Sequence, residues 1–168
     1  KPHIVFRRQA GFLDGENWSD QDEVAEWDKD VLVSFQGKAW VDTVTNLWAL
    51  EKTMGPIHAT MVELGVTMGA QFEDNLSAHK TEIVLQFWKK HLPRIFQKLY
   101  PANTTWGLQV IDRHLGIMYK RAVDQAVREL MLDKMRANGG KPYHLTMREK
   151  RITVTKAVGD MYRKLSTN

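Results

Sequence analysis

The chain has 168 residues, 43% hydrophobic and 26% charged, which suits one globular domain with a real core and leaves two domains cramped. It contains no cysteine, so a disulfide frame and a cysteine-ligated zinc or iron–sulfur centre are both excluded. The net charge of +4 hides an asymmetry: residues 1–74 carry 6 Lys/Arg against 13 Asp/Glu, whereas residues 75–168 carry 18 against 7.

A basic second half attracts polyanions through phosphate contacts and counterion release; alternatively, the two halves neutralise each other across the fold. No apolar run is long enough to span a membrane, and no charged-then-apolar leader opens the sequence, so no membrane partner is expected. The first residue is Lys1 and the sequence runs straight into the strand-like HIVF. An N-terminal part is therefore expected to be missing.

In chain order, His3 to Phe6 reads as a strand. Gly11 to Asp30 is acidic, its stretch from Asp14 to Asp30 reads as a solvated insertion or a partner contact, and a helix start is expected at Ser19–Glu23 before Val24 and Trp27. VLVSF at 31–35 is rich in β-branched residues and predicts a strand. Lys38 to Glu51 has Trp40, Val44, Leu47 and Trp48 at helical spacing; Gly55-Pro56 should break that helix before a second short one at 57–64. Ala70 to Asp74 predicts a short strand, and Thr81 to His91 a helix with Ile83, Val84, Phe87 and Trp88 on one face. After Pro93, IFQKLY at 95–100 alternates like a strand, and Pro101–Thr105 is a loop. A long helix is expected from about Leu108 into Met135, with Ile111, Leu115, Met118, Ala122, Val123, Val127 and Leu130 inward. Asn138-Gly139-Gly140 stops it, and Thr146-x-x-Glu149 is a capping box opening a last helix through Ile152, Thr155, Val158, Met161 and Leu165. Trp40, Trp48, Phe87 and Trp88 read as core. Strands alternating with helices predict an α/β fold, in which functional side chains gather at the carboxyl ends of strands.

Asp74 stands at such an end. It can cap the following helix, as Asp ordinarily does, or serve as a metal ligand. Asp112, near the start of the long helix, is by default a favourable partner of the helix dipole. Together, two carboxylates on a strand end and a following helix can hold hard divalent cations, and two such cations can activate a water or a 3′-hydroxyl and stabilise the leaving oxygen of a phosphodiester. Asn75 reads as a turn former and His79 as an outer contact to metal or DNA, or a polar helix-start residue. Arg113 and His114 flank Asp112 and either reach phosphate or sit in solvent. Lys120, Arg121, Arg128 and Lys134 ride the outer face of the long helix, as a DNA-backbone contact or a solvated face. Trp106 lies in the loop, with core packing preferred to base stacking.

The stretch EDNLSAHKTEIVLQFW followed by LYPANTTWGLQVIDRHLGIMYKRAV resembles the DDE-1 (pogo/Tigger-like) branch of the Tc1/mariner transposase superfamily. That family shows a strand ending in D-N-x-x-x-H, matched by Asp74, Asn75 and His79. A P-x-N-x-T loop follows, matched by Pro101, Asn103 and Thr105. A Q-x-x-D comes last, matched by Gln109 and Asp112. FQGKAWVDTVTNLWALEK also resembles the segment before the second acid, and the similarity spans roughly residues 1–135.

The resemblance implies an RNase H-like mixed sheet flanked by helices, lacking its first strands. It implies Asp74 and Asp112 as catalytic and metal-binding acids for two Mg2+ or Mn2+ ions. It further implies cleavage and joining of DNA phosphodiesters at transposon ends and target, nuclear localisation, and a homo-oligomer in full-length form. The family's first acid lies upstream of a segment like KPHIVFR; Asp14, Asp28, Asp30 and Asp42 are rejected as replacements because none is centred in an apolar strand. Residues 1–168 are therefore expected to be a partial catalytic domain with no separate DNA-binding domain and no cleavage activity of its own. Two other functions stay open: a domesticated or decayed nucleic-acid-binding or interaction module, and a different RNase H-like nuclease acting on RNA–DNA hybrids.

Overall fold

β-branched and aromatic runs become strands where they were expected, in a computed structural model that describes residues 1–8, 11–74, 76–101 and 114–167. The strands are β1 (His3–Arg7), β2 (Leu13–Asp14), β3 (Leu32–Gln36), β4 (Gly69–Glu73) and β5 (Ile95–Leu99). The helices are α1 (Gln21–Glu26), α2 (Thr43–Glu63), α3 (Glu82–His91), α4 (Gly116–Ala137) and α5 (Met147–Ser166), with 3-10 turns at Gly15–Asn17 and Ser77–His79. The fold is mixed α/β. One sheet has the order β1-β3-β2, with β1 parallel and β2 antiparallel to β3; the other pairs β4 with β5 in parallel across the α3 crossover.

Two apolar clusters hold these layers. Leu50 and Met54 of α2 meet Val84, Trp88, Leu92 and Ile95 from α3 and β5. On the first sheet, alternation turns Val33 and Phe35 to one face, where Val158 of α5, Ile4 and Phe6 join them. The opposite face presents His3, whose Nε2 lies 2.7 Å from Ser34 Oγ and whose ring is 5.2 Å from that of Trp48.

Four expectations change. First, α2 is one helix, not two: Pro56 lies inside it. The helix continues because Leu50 and Met54 on one side of the proline and Met61 on the other pack into the same cluster. Second, residues 38–40 form a turn and not a first helical turn; α2 begins where the Asp42 side chain accepts from Thr45 N–H. Third, helical spacing overstates burial: Trp40 is 65% exposed, and Val44, Ile83 and Met118 are exposed too. None of the residues of α4 is buried, because it packs mainly on α5. The predicted start of this helix at 108–113 lies outside the described residues.

The fourth change concerns the acidic segment, which is not a solvated insertion. It contributes β2 and α1, and Trp18 stacks on Phe35 at 4.1 Å. Glu23 is fully buried, taking both guanidinium arms of Arg151 at 2.6 Å and the indole N–H groups of Trp18 and Trp27 at 3.3 and 3.2 Å. Arg163 bridges Asp28 and Asp30, and Arg148 bridges Asp20 and Glu26. The Arg163 bonds hold the Asp28 carboxyl below its ordinary range. Gly159 of α5 sits where a Cβ would collide with that carboxylate.

Candidate functional site

The peptide after β4 leaves the sheet at Asp74, at the carboxyl ends of two parallel strands, where open α/β sheets place ligands. Helix capping does not account for this residue. The Ser77–His79 turn has Leu76 at its cap position and α3 has Thr81, neither receiving a side-chain cap bond. Among the described residues Asp74 Oδ1 is buried without a hydrogen-bond partner, while the side chain as a whole is 41% exposed. One oxygen thus points inward and the carboxylate still opens to solvent. His79 Nδ1 lies 2.9 Å from that oxygen, and it hydrogen-bonds to the Asp74 backbone carbonyl at 3.2 Å.

Beside this pair stands a group that the sequence did not single out as functional. Period-two alternation points Glu73 to the inner face, where its side chain is only 8% exposed and lies 3.8 Å from His79 Nδ1. Gln97, two positions before the end of β5 on the same face, donates to Glu73 Oε2 at 2.7 Å and to the His79 carbonyl at 3.0 Å. This amide ties β4, β5 and the turn carrying His79 into one unit. The only signal in the sequence was parity: Gln97 and Glu73 share a face once β4 and β5 are in register, Gln97 opposite Gln71 and Leu99 opposite Glu73.

The other expected site residues divide. Asn75, Asp112 and Arg113 lie outside the described residues. His114 is exposed just before α4; Lys120, Arg121 and Arg128 are exposed on α4. Lys134 does not belong with that outer face: its ammonium is 2.6 Å from Glu149 and over the Tyr143 ring, which raises its pKa. Glu149 in turn is drawn down to about 2, first by the Lys134 bond and then by the cap N–H of Thr146.

Toward a hard divalent cation the donor chemistry fits at Asp74, an oxygen ligand with one buried oxygen that accepts no hydrogen bond among the described residues and has His79 Nδ1 2.9 Å away. Among the described residues, no three His, Asp or Glu side chains converge into a set that could hold a metal ion. The chain matches no family model, and no curated protein or solved structure is significantly similar to it.

Proposed function

We propose that this chain is the core of a DDE-type DNA endonuclease or transposase on an RNase H-like sheet, with Asp74 as one of its metal-holding acids. The observation that carries this is the Asp74 oxygen, buried at the end of a parallel strand with no hydrogen bond and no helix cap to serve among the described residues, and faced by His79. A structural aspartate at that place satisfies its lone pairs with backbone N–H groups. Asp112, 38 positions on in the sequence, is the second ligand. The family's first acid rides a further strand, and β1 and β4 each leave an edge unpaired among the described residues.

Within the site, Asp74 would hold a cation by its oxygens, while the Gln97 amide fixes the turn and His79 closes the inner side. Mg2+ or Mn2+, when bound there, would supply activation of the attacking oxygen and stabilisation of the leaving one. DNA is the substrate, reached in the nucleus by a homo-oligomer that brings two ends together. The 168-residue chain, offering two of the three acids, holds metal weakly and does not cut DNA by itself.

Titrating the chain with Mn2+ and following free ion by electron paramagnetic resonance tests this. Asp74→Asn should weaken binding at least about tenfold, the usual scale for a lost charged ligand. Unchanged Mn2+ binding in that variant sinks the proposal, and if oligonucleotides still bind, the chain is a non-cleaving nucleic-acid module instead. Magnesium-dependent nicking that vanishes in Asp74→Ala would overturn only the inactivity of the isolated chain.

A further inference from the structure

Of the five tryptophans among the described residues, four are built into the packing. Trp88 is buried; Trp18 and Trp27 pack on Phe35; Trp48 packs on His3 and Phe12. Trp40 is the exception. It is 65% exposed and makes no ring contact among the described residues.

The turn that presents it is organised, not loose. Gln36, the last residue of β3, accepts from Lys38 N–H through Oε1 at 2.6 Å and from Ala39 N–H through its backbone carbonyl at 3.0 Å. Its Nε2 donates to Asp42 Oδ2 at 3.1 Å, joining the turn to the α2 cap. Ala39 adopts φ 52°, a left-handed conformation that an alanine ordinarily avoids. Strain of this kind persists where the surroundings enforce it, and it collects at ligand-binding positions.

Three cations border this turn in the chain and the sheet. Arg7 pairs with Gln36 at the strand ends, Arg8 donates its backbone N–H to the Gln36 carbonyl at 3.2 Å, and Lys38 lies in the turn. No acid pairs with any of the three among the described residues. The acid that follows the turn, Asp42 at the α2 cap, is committed: burial alone would raise its pKa, but bonds from Thr45 and Gln36 draw it below its ordinary value. An exposed indole on a hydrogen-bonded turn, bordered by cations that pair with no acid among the described residues, matches an unstacked nucleobase flanked by phosphates.

We propose that the Gly37–Trp40 turn is a nucleic-acid contact in which Trp40 stacks on an unpaired base while Arg7, Arg8 and Lys38 hold the adjoining phosphates. It rests on the DNA-processing function proposed above, and it names the single-stranded part of that substrate as what this surface takes.

The test is fluorescence anisotropy with the full chain and two labelled probes, a 12-nucleotide single strand and its duplex, at several salt concentrations. Trp40→Ala should weaken single-strand binding about tenfold, duplex binding less than about twofold, and leave the salt slope alone. Trp40→Phe should recover most of the affinity, and Lys38→Ala should lower the slope by about one. The melting curve of Trp40→Ala should match that of the parent, because so little of the indole is covered. Equal binding by parent and Trp40→Ala overturns the proposal while leaving the function of Asp74 to the Mn2+ titration. Failure of the parent to bind either probe overturns it as well, and the same titration again decides separately whether the metal site stands.

Discussion

Ala39 and His3 are each held, by tertiary contacts, in a state the free residue avoids. At Ala39 the cost is the left-handed backbone, which glycine adopts freely. Ala39→Gly should therefore raise the unfolding free energy by about 1 kcal/mol, read from thermal melts. At His3 the cost is protonation: burial pushes its pKa from 6.5 to about 4. The unfolded chain takes up this proton near pH 6.5 and the folded chain only near 4, so stability is complete above 6.5 and falls as pH drops through that window. The loss should reach about 3 kcal/mol by pH 4, and His3→Gln should flatten this part of a stability–pH curve. If the two curves have the same slope between pH 6.5 and 4, His3 is not the group responsible.

Helix limits separate local from distant causes. At α5 the limit is local: Thr146 Oγ1 accepts from Glu149 N–H at 3.1 Å, and Glu149 Oε2 takes the Thr146 N–H at 2.8 Å. Thr146→Ala should cost about 1 kcal/mol in chemical denaturation. At α2 the local signal loses. Pro56 has no N–H to give the ladder and crowds the preceding turn, yet the helix continues because its two halves share one apolar cluster. Pro56→Ala should thus stabilise the protein by about 2 kcal/mol, the helical penalty less the entropy that proline removes from the unfolded chain. A destabilised Pro56→Ala variant would mean that the proline ring itself is required for packing.

Across the whole molecule, charge asymmetry is resolved internally in large part. Arg148, Arg151 and Arg163 of α5 take up Asp20, Glu23, Glu26, Asp28 and Asp30 from the acidic first half. Of the two meanings the sequence left for its charge, neutralisation thus accounts for these residues, and the nucleic-acid contact proposed above draws on cations outside these pairs. Because Glu23 is buried, removing Arg151 strands a charge with only indole donors. Arg151→Met should cost about 3–5 kcal/mol, and adding Glu23→Leu should restore most of it. A single variant as stable as the parent would show that the pair is not a principal lock between α1 and α5.

Local chemistry alone determined a good deal: β1, β3, β4, β5, the capped α5, and the position of Asp74 at a strand end, since alternation, caps and turn residues act over a few positions. Tertiary structure decided what those rules do not reach. Whether Pro56 breaks a helix depends on what both halves bury, and whether Trp40 is core depends on where a turn faces. That Glu73 and Gln97 brace the turn beside Asp74 depends on β-pairing between segments 24 positions apart. The fate of the acidic segment is the clearest case. Its partners on α5 lie more than a hundred positions away, as Arg151 does from Glu23, and no local pattern encodes a contact made only when the chain has folded back on itself.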